Sequence, residues 1–191
     1  RPLRREGLDF DIAFSSLLKR AIKTLWIVSE EMDREWVPQV KAWELNERHY
    51  GTLQGQTWDE VAAEEGADQV QLWRRSFRDM PPPLGLDDPR HPRFDRRYSG
   101  VPREKLPSSE SLEDVSGRVV PFWEERIAPE IRSGRRVLIL SHGNALRALV
   151  KHLDGISDQD ISAVEIPTGV PILYELDEKL QPTARHRLVE D

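Results

Sequence analysis

Four apolar residues, Val137-Leu138-Ile139-Leu140, follow Arg135-Arg136 and run straight into Ser141-His142-Gly143-Asn144. Such a run is too short for a helix and fits a strand buried on both faces. The glycine-bearing turn then opens a helical segment, Ala145–Leu153. A strand covered on both faces needs helices on either side of its sheet, so this one unit already points to an α/β class.

The remaining chain alternates in the same way. Asp11–Phe14 reads as a short buried strand, with Ser15 and Ser16 as candidate N-caps and a helix from Leu17 to about Glu31. Val37–Leu45 reads as extended. Thr57 with Glu60 forms a capping-box pattern whose helix Gly66 closes. Val70 and Trp73 mark another helix. Met80–Pro107 holds seven of the fourteen prolines and shows no periodicity, which predicts a lid, a binding loop or disorder. Ser109–Gly134 reads as a long helix that Pro121 is able to kink. Pro171–Leu176 and Ala184–Leu188 read as a hairpin turning at Asp177–Lys179. The expected class is α/β, with a mostly parallel sheet and helices on both faces. Ligands of such sheets sit at the carboxyl ends of strands, which singles out Phe14–Arg20 and Leu140–Arg147.

Composition excludes several functions. The formal charge is −6, against the basic balance of a nucleic-acid binder. Paired arginines at 4–5, 74–75, 96–97 and 135–136 still leave room for local anion sites. Cysteine is absent, so thiolate chemistry is excluded and zinc would have only His and carboxylates. No signal peptide or membrane-length apolar run is visible, and the expectation is a soluble cytoplasmic protein. No Walker loop, GxGxxG, HExxH or GxSxG pattern occurs.

His142 sits where a strand ends and a helix begins. It either serves an anion held by the helix N-terminus, with Gly143 admitting it closely, or simply caps the helix. Arg20 is either a bidentate phosphate clamp or a solvated arginine. Arg74 and Arg75 are either anion ligands or a basic surface pair. Glu47, amid Arg48, His49 and Tyr50, is either a general acid/base or part of a solvated charge run.

Taken in order, Phe10–Leu25, Leu45–Gly55, Val70–Phe77 with Pro81–Pro83, Leu106–Val115, Val137–Asp158 and Ile166–Leu176 resemble the cofactor-dependent phosphoglycerate mutases of the histidine phosphatase superfamily. The resemblance implies a three-layer α/β/α fold, interconversion of 3-phosphoglycerate and 2-phosphoglycerate, a phosphohistidine primed by 2,3-bisphosphoglycerate, and no metal. It implies Glu47 as proton donor and acceptor, and His142 as the second histidine of the phosphate pocket. It assigns Arg20, Arg48, His49, Tyr50, Arg74, Arg75, Gly143 and Asn144 to substrate contacts. It places the 80–107 loop at the site entrance, and it makes a homodimer or homotetramer the expected assembly.

Two departures stand out. The family's Arg-His-Gly motif, whose histidine accepts the phosphoryl group, does not occur among the 191 residues. The expectation is therefore a domain whose first strand lies upstream of this sequence. Trp58 also stands where the family has a lysine that contacts the substrate carboxylate. Two other readings stay open: a phosphatase of the same superfamily, and a non-catalytic phospho-ligand binding module if the chain is complete.

Overall fold

The computed structural model describes residues 2–189. It begins with the short helix α1 (Pro2–Arg5), and Arg1 lies outside the described residues. Next come strand β1 (Ile12–Ser16), helix α2 (Lys19–Glu31) and strand β2 (Gln39–Ala42). Helices α3 (Trp58–Glu65) and α4 (Ala67–Arg75) form a compact pair. Helix α5 (Leu112–Phe122) passes through a π turn at Trp123–Ile127 into α6 (Ala128–Arg132). Strand β3 (Val137–Leu140), helix α7 (Gly143–Asp154) and the strands β4 (Ile172–Leu176) and β5 (Pro182–Arg187) complete it.

Strands β2, β1 and β3 form a parallel sheet in that order, with Ala13 opposite Gln39 and Leu138. Strands β4 and β5 form the expected antiparallel hairpin, and Asp177 Oδ1 accepts from Lys179 and Gln181 N–H in its turn. The strand period of two divides the side chains between two cores. Ile12 and Phe14, with Val137 and Ile139, face the large core under α5, α6 and α7. Ala13, Leu138 and Leu140 face a smaller one under α2, built on Leu25 and Val37. Helices thus cover both faces, which is the expected α/β layering.

Three expectations change. β3 is half-buried rather than fully buried, because among the described residues only β1 pairs with it and its other edge is open. The strand buried at every position is β1, in the middle. Ser15 and Ser16 belong to β1 instead of capping α2, whose N-cap position is Leu18, with no side-chain bond. The long helix begins only at Leu112, keeps Pro121 inside α5 and loosens into the π turn after it. Pro121 and Pro129 flank that turn, and each removes an N–H from the ladder.

The 80–107 loop is packed against the domain. Pro81, Leu84, His91, Tyr98 and Leu106 are buried, and three short 3-10 turns link them. Its start is fixed by Gly51, whose positive φ of 57° leaves no room for a side chain: a Cβ would lie 2.0 Å from the Pro82 carbonyl oxygen.

Candidate active site

The site forms where β1 and β3 end. Ser16 closes β1, Arg20 opens α2, and His142 joins β3 to α7. His142 is 7% exposed and makes no side-chain cap to its own helix. Its Nδ1 accepts from Arg20 Nε at 3.1 Å, while Nε2 lies 2.7 Å from Ser16 Oγ. An arginine can only donate, so Nδ1 is unprotonated, and Nε2 carries the hydrogen that Ser16 accepts. Burial, and then the charges of Arg20 and Arg118, lower the His142 pKa to about 4. The imidazole is neutral near pH 7 and has a defined tautomer.

Glu47 reaches the same helix end from the neighbouring segment. Its Oε1 accepts the Asn144 N–H at 3.2 Å and its own neighbour's N–H, that of Arg48, at 2.8 Å. A carboxylate at a helix N-terminus meets free N–H groups and the positive end of the dipole. A Cβ on Gly143 would only touch Glu47 Oε2 at 3.9 Å. The protein therefore leaves that backbone face open for a close approach.

The segment carrying Glu47 is held by residues that sequence reasoning passed over. Arg118 grips Glu110 through Nε at 2.6 Å and Nη2 at 2.9 Å, and its Nη1 donates to the Asn46 carbonyl at 3.1 Å. Glu110 Oε2 also accepts His49 N–H at 2.8 Å. Asn46 ties the segment to Leu17 N–H at 2.9 Å and to the Tyr98 hydroxyl at 3.0 Å.

Beyond Glu47 lies a cavity of about 350 Å³. Tyr50, Trp58, Arg74, Arg75, Gly143, Asn144 and Arg147 line it, together with residues 164–167. Asn144 Nδ2 donates to the Tyr50 hydroxyl at 2.8 Å, and Glu165 pairs with Arg75 at 2.8 Å. On the Arg20 side a second cleft is lined by Leu18, Lys19, Arg20, Lys23 and Arg97.

Arg147, 5% exposed, was missed. Its guanidinium donates to the carbonyls of Arg74 (3.2 Å), Arg75 (3.0 Å) and Ile161 (2.8 Å), and to Asn144 Oδ1 (3.1 Å). The last carbonyls of α4 have no helical donor of their own, and Arg147 supplies it. The signal for it was present, since Arg147 lies three residues after Asn144 on one helix, and such residues share a face.

The structure therefore brings Glu47, Tyr50, Arg74, Arg75, His142, Gly143, Asn144 and Arg20 to one edge of the sheet. It sets Arg48 and His49 behind the wall instead. Arg48 is 1% exposed, with its guanidinium 4.6 Å over the Tyr50 ring and a hydrogen bond to the Trp73 carbonyl. His49 Nδ1 accepts from Gly51 N–H at 3.0 Å, and burial lowers its pKa. Arg48 Nε and Nη1 and Arg147 Nε are buried without a hydrogen-bond partner. Buried donors in this state call for a partner such as an ordered water or an ion. Among the described residues no group of three or more His, Cys, Asp or Glu could hold a metal ion, and no helix is long and apolar enough to cross a membrane.

A family model described as the histidine phosphatase superfamily (branch 1) matches residues 3–90 and 86–181. A 2,3-bisphosphoglycerate-dependent phosphoglycerate mutase of Nitrosococcus oceani is 54% identical over 188 residues, covering 98% of this chain and 78% of its own. Among solved structures, Bacillus stearothermophilus YhfR matches with a TM-score of 0.66 at 19% identity, over 99% of this chain and 77% of that one. A mycobacterial glucosyl-3-phosphoglycerate phosphatase matches at 0.63 and 20% identity, over 92% and 74%. At such identities the structural likeness speaks for the fold alone.

Proposed function

The chain belongs to branch 1 of the histidine phosphatase superfamily, and on that premise we propose that it is a 2,3-bisphosphoglycerate-dependent phosphoglycerate mutase acting in the cytoplasm. The observation that carries the reading is the Glu47 carboxylate, fixed to the N-terminus of α7 beside a cavity walled by Arg74, Arg75 and Arg147. Isomerising a phosphoglycerate requires deprotonating the hydroxyl that receives a phosphoryl group and reprotonating the oxygen that loses one. One carboxylate in one place serves both proton transfers.

Around it the proposed roles follow from charge. Arg74 and Arg75, with Tyr50, Gly143 and Asn144, hold the anionic substrate. Arg48 and His49 support that wall from behind. Arg20 and the Nε2–H of neutral His142 stabilise oxygens of the moving phosphoryl group, a task of positioned charge rather than covalent chemistry. A ligand with two phosphates and a carboxylate fits a cavity lined by Arg74, Arg75 and Arg147. When bound, 2,3-bisphosphoglycerate supplies the phosphoryl group that substrate and product exchange.

The accepting histidine is not assigned to His142: its Nδ1, the only ring nitrogen with a lone pair, is taken by Arg20 Nε, and Nε2 carries the hydrogen. We propose instead that an Arg-His-Gly strand preceding these residues carries it, seated on the open edge of β3. The half-buried apolar residues of that strand support this seat. The test is a coupled assay for 2-phosphoglycerate formation beside free-phosphate release, on a chain carrying that strand. Isomerisation that requires 2,3-bisphosphoglycerate priming is expected; phosphate release without isomerisation overturns the reading in favour of a phosphatase.

A further inference from the structure

Trp58 is the first residue of α3, and the reciprocal Thr57–Glu60 capping box fixes its backbone there. Its ring meets Tyr50 edge to face, with centroids 5.1 Å apart at 75°. The Arg74 guanidinium lies over the other part of this stack, 5.1 Å from the Trp58 ring centroid. All three side chains line the same cavity. Tyr50 is in turn tied to Asn144 on α7, so the stack is referenced to the helix end that holds Glu47.

The two cavity arginines differ in how they are held. Arg75 is engaged by Glu165, whereas Arg74 has no carboxylate partner among the described residues. Arg147 pins the Arg74 backbone, but a long exposed side chain on a pinned backbone still samples many rotamers, and ordering it on binding costs entropy. An indole face orders a guanidinium without consuming its N–H groups. Those groups lie in the plane of the cation and stay free at its edge.

We propose that Trp58 is a positioning residue for substrate recognition: it holds the Arg74 guanidinium flat against the cavity wall, with its N–H edge turned to an anionic group of the ligand. Only the identity of that ligand rests on the mutase reading. The mechanism predicts that Trp58 acts on affinity through Arg74 and not by itself.

A double-mutant cycle tests this, because coupling appears only if the two side chains act together. The full chain is titrated by NMR with 3-phosphoglycerate and, separately, with inorganic phosphate. Trp58→Ala is expected to weaken binding about three- to tenfold, and Trp58→Phe, which keeps the packing of α3, less. In an Arg74→Met background the same Trp58→Ala change is expected to shift affinity by less than about twofold. Equal weakening in both backgrounds, or unchanged affinity in Trp58→Ala, overturns the proposal. Coupling seen with phosphate alone, and no binding of 3-phosphoglycerate, upholds the role of Trp58 and overturns the phosphoglycerate reading of the cavity.

Discussion

Glu47 Oε1 accepts two backbone N–H groups, from Asn144 at 3.2 Å and from Arg48 at 2.8 Å. The carboxylate is thereby fixed between the segment that carries it and the helix that follows β3. Glu47→Gln keeps an oxygen for both bonds and removes only the proton chemistry. Isomerisation in the enzyme is expected to fall about 10²- to 10⁴-fold, with the Kd for 3-phosphoglycerate changed little. A full mutase rate in Glu47→Gln would remove Glu47 as the acid/base.

Arg118 and Glu110 form a pair whose side chains are 8% and 5% exposed. The pair anchors the segment from Glu44 to His49. Removing one partner of such a pair leaves the other charge buried and alone, at a cost of about 3–5 kcal/mol. Arg118→Met is therefore expected to lower the urea midpoint strongly. A stability within about 0.5 kcal/mol of the parent would show that the pair contributes nothing to holding the segment.

His142 gives the fold a definite acid response. Its pKa is lowered by burial, then by Arg20 and Arg118, from 6.5 to about 4. Below pH 6.5 the unfolded chain binds a proton that the folded imidazole refuses until about pH 4. The contribution is thus complete above pH 6.5 and lost as pH falls towards 4, a change on the order of 3 kcal/mol. Burial lowers His49 and His91 in the same direction. Thermal unfolding from pH 7 to 4 is expected to be less pH-dependent in His142→Asn than in the parent, and identical slopes would contradict the buried neutral state.

Glu165 occupies Arg75 at the cavity with its own side chain 67% exposed. An exposed pair of this kind is weak and salt-screened, so an anionic ligand can displace it. Glu165→Gln is expected to tighten binding of 3-phosphoglycerate by about two- to fivefold at low salt, with the gain shrinking at high salt. Unchanged affinity at low salt would show that Arg75 does not meet the ligand.

Much of this was legible in the chain. The alternation of apolar runs and capped helices marked the α/β class, because burial on a sheet or helix face imposes a period that one sequence displays. The Thr57–Glu60 capping box appeared where its residues predicted. Ser16 lies two residues before the N-cap position: its hydroxyl accepts the Leu18 N–H at 3.1 Å at the helix entry, as a local pattern suggests, but also meets a histidine 126 residues away, which no local pattern shows. The 80–107 loop was unreadable for a related reason: single anchors such as His91 and Tyr98 carry no period.

The ordered motifs by themselves determined the family, the candidate carboxylate and the candidate histidine. Only the tertiary structure decided that Arg48 and His49 stand behind the wall, that Arg118 and Arg147 hold it, and that Arg74 rests on Trp58. Those outcomes depend on which side chains meet across the fold, where burial removes water and makes a charge's partners decisive. A charged residue reads the same in sequence whether it faces a ligand or braces the backbone. Its surroundings, assembled from distant segments, set the difference.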